Sequence, residues 1–216
     1  MINKIKISAI VPVYNESPYL DEVISNLVKI KCIDEFICIN DGSTDNSLEI
    51  LNKFNNKITI VTYEKNKGKG FAVAQGLKVT NGEIVVLLDA DITDYSKEHI
   101  LDLCNPLVNN KLRFTIGLFP SYKEIIKIKS ISGLRAYYKN DIFHLVKELE
   151  KSTKYGIDPI LNMKLKHLKH DYIKIPRVNH ISKYQKHKPR KAIREYSEEG
   201  KSLAEESFRI LRETEL

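Results

Sequence analysis

The sequence predicts an α/β fold: a mostly parallel sheet flanked by helices, closed by a C-terminal amphipathic helix. Three observations carry this expectation. Short apolar strand patterns alternate with helical patterns through the first 94 residues, in the order β-α-β-α-β-α-β. The run Ile84-Val-Val-Leu-Leu88 shows no polar alternation, as a strand buried on both faces requires. In the tail from Ala192, Ile193, Tyr196, Leu203, Phe208 and Leu211 recur at roughly helical spacing, with mixed charge between them.

Residues 4–13 read as the first strand, and Pro12 near its end suits a strand terminus because it donates no ladder hydrogen bond. Ser17 followed by Pro18 reads as the N-cap and first turn of a helix to about residue 30, with Leu20, Val23, Ile24, Leu27 and Val28 on one face. Residues 36–39 form a second buried strand, followed by a polar loop and a helix over 45–54. Residues 57–63 are a third strand, and Asn66-Lys-Gly-Lys-Gly70 leads into a helix to about residue 79. After the Asn81-Gly82 turn, the fourth strand ends on Asp89-Ala-Asp91, with Asp94 close behind. The second half is less regular. It reads as a helix over 97–108, a strand over 113–118, a helix starting at Ser132-Gly-Leu-Arg135 and running to about 151, another starting at Gly156-Ile-Asp-Pro159, and a strand over 172–178.

Right-handed crossovers between buried parallel strands place the loops after the first, second and fourth strands at one sheet edge. Ligands bind such sheets beyond the C-terminal ends of the strands. Tyr14 and Glu16, Asp41, and Asp89 with Asp91 are all expected there. Paired carboxylates at a strand end suit a divalent metal and the phosphates it holds; a polar turn is the alternative reading.

With 216 residues and 42% hydrophobic content the chain can bury a core without staples. Cys32, Cys38 and Cys104 match no zinc spacing and read as reduced core thiols. No signal peptide pattern opens the sequence and no apolar run reaches a membrane-spanning length. These features together lead to the expectation of a cytoplasmic protein. The net charge of +7 is uneven, because residues 161–194 hold all but one of their charges as Lys or Arg, the exception being Asp171. Such a segment suits an anionic membrane surface, a phosphorylated substrate or simple solvation. No nucleic-acid-binding motif accompanies it, so a nucleic-acid partner is not expected.

Four motifs together carry a resemblance. Val11-Pro-Val-Tyr-Asn-Glu16, Asn40-Asp-Gly-Ser-Thr-Asp45, Asn66-Lys-Gly-Lys-Gly70 and Leu88-Asp-Ala-Asp91 follow one another in the order and spacing of family 2 glycosyltransferases of the GT-A fold. The chain looks most similar to the dolichyl-phosphate mannosyltransferase and polyprenyl-phosphate glycosyltransferase branch. The resemblance implies a Rossmann-like nucleotide-sugar half over 1–95, an acceptor half over 96–182, and a basic segment with a helix over 183–216. It implies a UDP- or GDP-sugar donor and Mg²⁺ or Mn²⁺ held by Asp91, with Asp89 sharing the metal or facing the ribose. Oxygen ligands suit these hard ions. Pro12, Tyr14 and Glu16 match the loop that walls the nucleoside, Asp41 the carboxylate that recognises the base, and Ala90 lies between the two metal-side aspartates. Lys69 is placed to neutralise phosphate, or else is an exposed lysine. Thr93 stands where relatives carry Gln, which leaves Asp94 as either a third ligand or a helix cap.

In the acceptor half, Ser132-Gly-Leu-Arg135 resembles a segment whose Arg holds an acceptor phosphate. A second Arg, usual after Ile116-Gly117, is missing; Arg113, Arg177 or the basic tail are the available substitutes. Asp158 is the candidate general base for a hydroxyl acceptor, and also a well-placed helix cap. His180 is within reach of a diphosphate or is a surface His. The basic run from Lys183 to Lys191 fits either a cover over the diphosphate or a contact with anionic lipid at the cytoplasmic membrane face. The helix after it packs on the core or pairs with a second copy. A nucleotidyltransferase is disfavoured, since Tyr14-Asn-Glu16 replaces the Gly-rich loop such enzymes place after the first strand.

Overall fold

The computed structural model describes residues 5–118, 132–176, 178, 181, 183–186 and 189–214. The strands are β1 (Ile7–Val13), β2 (Glu35–Asp41), β3 (Thr59–Tyr63), β4 (Ile84–Leu87), β5 (Phe114–Leu118), β6 (Arg135–Tyr138) and β7 (His170–Lys174). They form one sheet in the order β3-β2-β1-β4-β6-β5-β7. All pairs are parallel except those of β6, which runs antiparallel to both β4 and β5.

Helices α1 (Ser17–Leu27), α2 (Ser47–Asn52), α3 (Lys69–Val79) and α4 (Lys97–Val108) cross between the strands of the first half. Alternation along β1 divides the core into two layers. Ala9, Val11 and Val13 face Leu20, Val23, Ile24 and Leu27 of α1, while Ile10 faces Val73 and Leu77 of α3. Burying each of the four α1 side chains contributes about 1.5–3 kcal/mol, which is what fixes this helix to the sheet. Pro12 fits because the β1–β4 ladder stops at Ile10↔Leu87, so beyond it β1 has only β2 beside it.

The second half departs from expectation at one element. Residues 132–138 do not start a helix: Arg135–Tyr138 is strand β6, inserted between β4 and β5. The cause is tertiary. Tyr137 and Ala136 pair across from Val85 and Val86, and the buried Tyr137 ring stacks on Phe114. Helical structure begins only afterwards, as α5 (Lys139–Ile142), a 3-10 turn (Phe143–Leu145) and α6 (Val146–Leu149). β7 also starts two residues and ends four residues earlier than the pattern suggested, because its register is set by β5.

α7 (Ile157–Lys164) starts at the Gly156-Ile-Asp-Pro159 signal. A short helix α8 (Lys183–Lys186) precedes α9 (Pro189–Thr214), which packs on α7. The buried Glu206 of α9 accepts from Thr153 N–H at 2.6 Å, and Ser202 Oγ accepts from Tyr155 N–H at 2.9 Å. The C-terminal helix therefore supports the loop that leads into α7. Cys32, Cys38 and Cys104 are free thiols, the last two buried. Among the described residues no helix is long and apolar enough to cross a membrane.

Candidate active site

The parallel register of β1, β2 and β4 brings their C-terminal ends to one edge, and the motif residues gather there. The second motif builds the first. Ser43 Oγ accepts from Asn15 N–H, Ser47 Oγ from Glu16 N–H and Asp45 from Ser17 N–H, at 3.0–3.1 Å. Asn15 takes a positive φ of 56°, and its side-chain oxygen accepts from Thr44 N–H. This clasp places Glu16, rather than Ser17, at the N-cap position of α1 and turns its carboxylate toward the end of β4.

Asp41 ends β2 and is buried. Its carboxylate accepts from Lys67 N–H at 2.7 Å, Gly68 N–H at 2.9 Å and the Asn66 amide at 3.0 Å. Asp41 thus shapes the loop that starts α3. Gly68 is required there: its φ is +94°, and a Cβ would come within 2.7 Å of the Lys154 backbone. Tyr14 is partly exposed, with the Lys154 ammonium 5.4 Å from its ring centre.

The Asp89-Ala-Asp91 turn follows β4, with Ala90 buried. The Asp89 carboxylate pairs with the Lys69 ammonium from the first turn of α3. Burial alone would pull the Lys69 pKa down, but Asp89 foremost and then Asp158 win, so the ammonium is held above its ordinary range. Gly133 backs onto this pair, and any Cβ there would collide with the Lys69 ammonium and the Asp89 carboxylate. Tyr95 Oη accepts from Asp89 N–H at 3.0 Å and fixes the turn from behind.

Asp91 meets Glu16 through a shared cation that the sequence did not reveal. Lys186 Nζ lies 2.8 Å from Glu16 Oε1 and 2.9 Å from Asp91 Oδ2. Burial raises the Glu16 carboxyl to about 7; Lys186 opposes this, and the Asp91 charge adds to it. Ile181 N–H donates to Asp91 C=O at 2.9 Å and ties the incoming chain to the same turn.

Across the cleft, Arg135 is wholly buried on β6. Its guanidinium pairs with Asp158 at 2.7 Å, donates to Ser132 C=O at 2.6 Å and to Asn162 Oδ1 at 2.8 Å, and reaches Tyr137 Oη at 3.2 Å. Asp158 sits in the first turn of α7, whose N-cap is Gly156. Burial raises the Asp158 pKa, while Arg135 and then Lys69 counter it.

Two secondary expectations are corrected. Asp94 is exposed and does not cap α4; Ser96 does, in a capping box with His99. Arg113 is bound bidentately by Asp141 and lies 4.4 Å from the Tyr138 ring centre, away from the cleft. Arg177 and His180 lie outside the described residues. Lys186 was visible only as part of a basic run, because its partners lie 170 and 95 positions away.

Fold and site define a Rossmann-like α/β domain whose sheet edge gathers carboxylates bridged by lysine ammonium groups. The profile of glycosyl transferase family 2 matches residues 8–147, well over half of the chain, and the chain belongs to that family. It is 42% identical over 89 residues to the uncharacterized glycosyltransferase YaiP of Escherichia coli strain K12, covering 39% of this chain and 22% of that protein. It is 33% identical over 123 residues to the glycosyltransferase GlyG of Streptococcus pneumoniae serotype 4, covering 55% and 40%. The chain thus spans well under half the length of these curated relatives. Among solved structures it is similar to glucosyl-3-phosphoglycerate synthase from Mycobacterium tuberculosis in complex with Mn²⁺, UDP and glucosyl-3-phosphoglycerate. That match has a TM-score of 0.67 and 19% identity, covering 82% of this chain and 72% of the synthase. At that identity the likeness shows the GT-A type fold.

Proposed function

We propose that this chain is the catalytic domain of a glycosyltransferase that moves a sugar from a UDP- or GDP-sugar to an acceptor, with Mg²⁺ or Mn²⁺ at the Asp89-Ala-Asp91 turn. One observation carries the reading: Glu16 from the end of β1 and Asp91 from the end of β4 converge on a single cation, at the edge where such sheets bind ligands. The donor set fits a hard divalent ion, since Glu16, Asp89 and Asp91 offer only oxygen. Glu16 Oε2 is buried and accepts no hydrogen bond among the described residues. Of these three, Glu16 and Asp91 share one cation while Asp89 is paired with Lys69, so the protein offers two converging carboxylates rather than a three-residue cage among the described residues. That suits an ion that completes its shell with diphosphate oxygens and water, as Mg²⁺ does. Mn²⁺ and UDP in the similar synthase agree with this assignment.

In this reading Asp91 holds the ion, with Asp89 beside it or turned to the ribose. When bound, the ion supplies Lewis-acid charge to the departing nucleoside diphosphate. Pro12, Tyr14 and Glu16 wall the nucleoside, Asp41 sets the loop beside the base, Ala90 keeps the turn narrow, and Lys69 faces the phosphates. Arg135 holds Asp158 in place through their ion pair and three further hydrogen bonds.

For the acceptor, we infer a polyprenyl phosphate approached from an anionic membrane surface. The exposed Ile193, Tyr196, Phe208 and Leu211 of α9, together with its Arg190, Arg194, Lys201 and Arg212, support a helix lying on lipid; pairing with a second copy is the competing use of that face. One observation favours a second reading, transfer to a hydroxyl group. Asp158 is a buried carboxylate with a raised pKa, which suits a base taking the acceptor proton.

The test is incubation with UDP- and GDP-sugars and Mn²⁺, reading released UDP or GDP. Release stimulated by a polyprenyl phosphate supports the first acceptor, and release stimulated only by sugar or glycan hydroxyls supports the second. No nucleotide binding, with or without metal, refutes the donor assignment.

A further inference from the structure

Lys186 is the one cation from the C-terminal segment that the described residues place inside the carboxylate cleft. Its side chain is 11% exposed, and the Glu16 and Asp91 side chains that it bridges are 17% and 21% exposed. Asp89 close by is already balanced by Lys69. Two carboxylates so enclosed repel each other and lose hydration, so an enclosing cation is needed to keep both ionised. The main chain approaching Lys186 is tied to the cleft by Ile181 N–H on Asp91 C=O, whereas the ammonium ends a flexible four-carbon stem. The chain is therefore anchored five residues before Lys186, while its ammonium is able to exchange partners.

Charge decides what that exchange does. The pair carries two negative charges against one positive. A divalent ion added to this set leaves surplus positive charge, which an incoming nucleoside diphosphate cancels. A divalent ion alone must displace the ammonium or share its carboxylates with it. When ion and diphosphate arrive together, the ammonium finds a new anion.

We infer that Lys186 is a resident counter-cation of the Glu16–Asp91 pair, one that competes with the free divalent ion and passes to the donor diphosphate when the two bind together. This inference rests on the donor assignment above and adds to it a positioning role that makes metal and nucleotide binding cooperative. Binding of each partner then strengthens the other by the same factor, as linkage requires.

The experiment measures Mn²⁺ binding by the paramagnetic resonance of free Mn²⁺, without nucleotide and with saturating UDP or GDP, for the wild type, Lys186→Met and Lys186→Arg. A thermal melt confirms that each variant is folded. Lys186→Met is expected to bind Mn²⁺ alone about tenfold more tightly, and to lose about tenfold of the mutual enhancement between Mn²⁺ and nucleotide. Lys186→Arg, which keeps the charge, should stay near the wild type on both readouts. If the wild type binds metal and nucleotide and Lys186→Met binds Mn²⁺ alone with unchanged or weaker affinity, the exchange is overturned and the donor assignment stands. If the wild type binds neither, both fall.

Discussion

Arg135 and Asp158 form an ion pair of 2.7 Å that joins β6 to the first turn of α7 beneath the cleft. Neither residue sits on the elements that carry the nucleotide-side motifs, and the pair ties a strand of the central sheet to α7 outside it. Breaking it leaves a buried charge uncompensated. Arg135→Met is expected to cost about 3–5 kcal/mol, and the double variant with Asp158→Asn should cost less than the sum of the two single changes. Urea unfolding of the four proteins checks this; additive losses would show that the pair is not coupled.

Burial raises the Asp158 pKa, with Arg135 and Lys69 limiting the rise. A base must be ionised to act, so activity is lost as pH falls through this raised value. With a hydroxyl acceptor, the acid limb of kcat/KM should lie above the ordinary carboxylate range. Asp158→Asn should abolish the limb together with turnover. An acid limb unchanged in Asp158→Asn would remove this residue from the proton transfer.

Asp41 accepts three hydrogen bonds from the 66–68 loop. Hydrogen bonds to a charged acceptor contribute roughly 1.5–3 kcal/mol each, so Asp41→Ala should loosen this loop. The expected result is faster amide exchange at Lys67 and Gly68 and a donor KM raised by about tenfold or more. An unchanged exchange rate would contradict the role given to Asp41.

Gly133→Ala tests how closely the loop before β6 packs on the Lys69–Asp89 pair. The added methyl meets the Lys69–Asp89 pair, while residue 133 sits in a loop with no positive φ to preserve. Turnover should fall by about a hundredfold, equivalent to about 2.7 kcal/mol of barrier. The thermal midpoint should move little. Full activity would mean that Asp89 and Lys69 need not keep their present arrangement.

The first half of the fold was legible because its signals are local. Runs such as Ile84–Leu87 and the Leu20, Val23, Ile24, Leu27 stripe carry their own period. β6 was not legible, because Arg-Ala-Tyr-Tyr has no strand alternation and becomes a strand only between β4 and β5. In the site, Glu16, Asp41, Asp89 and Asp91 were found together because parallel topology sends their loops to one edge. Arg135 was read as a phosphate ligand on a helix, yet its donors are engaged within the domain by Ser132, Tyr137, Asn162 and Asp158. Lys186 was legible only as one member of the basic run, since only the folded chain brings it to Glu16 and Asp91. The α4 cap was missed for a smaller reason: the box pairs Ser96 with His99, where Glu or Gln is the usual partner.

In the proposed function Asp91 holds a divalent ion together with a nucleoside diphosphate. The most direct measurement is calorimetric titration of UDP and of GDP into wild type and Asp91→Ala, each with and without Mn²⁺. One nucleotide should bind the wild type in a Mn²⁺-dependent way, and Asp91→Ala should lose that dependence and at least about a hundredfold in affinity, or 2.7 kcal/mol. Mn²⁺-dependent binding of equal strength in Asp91→Ala would contradict it.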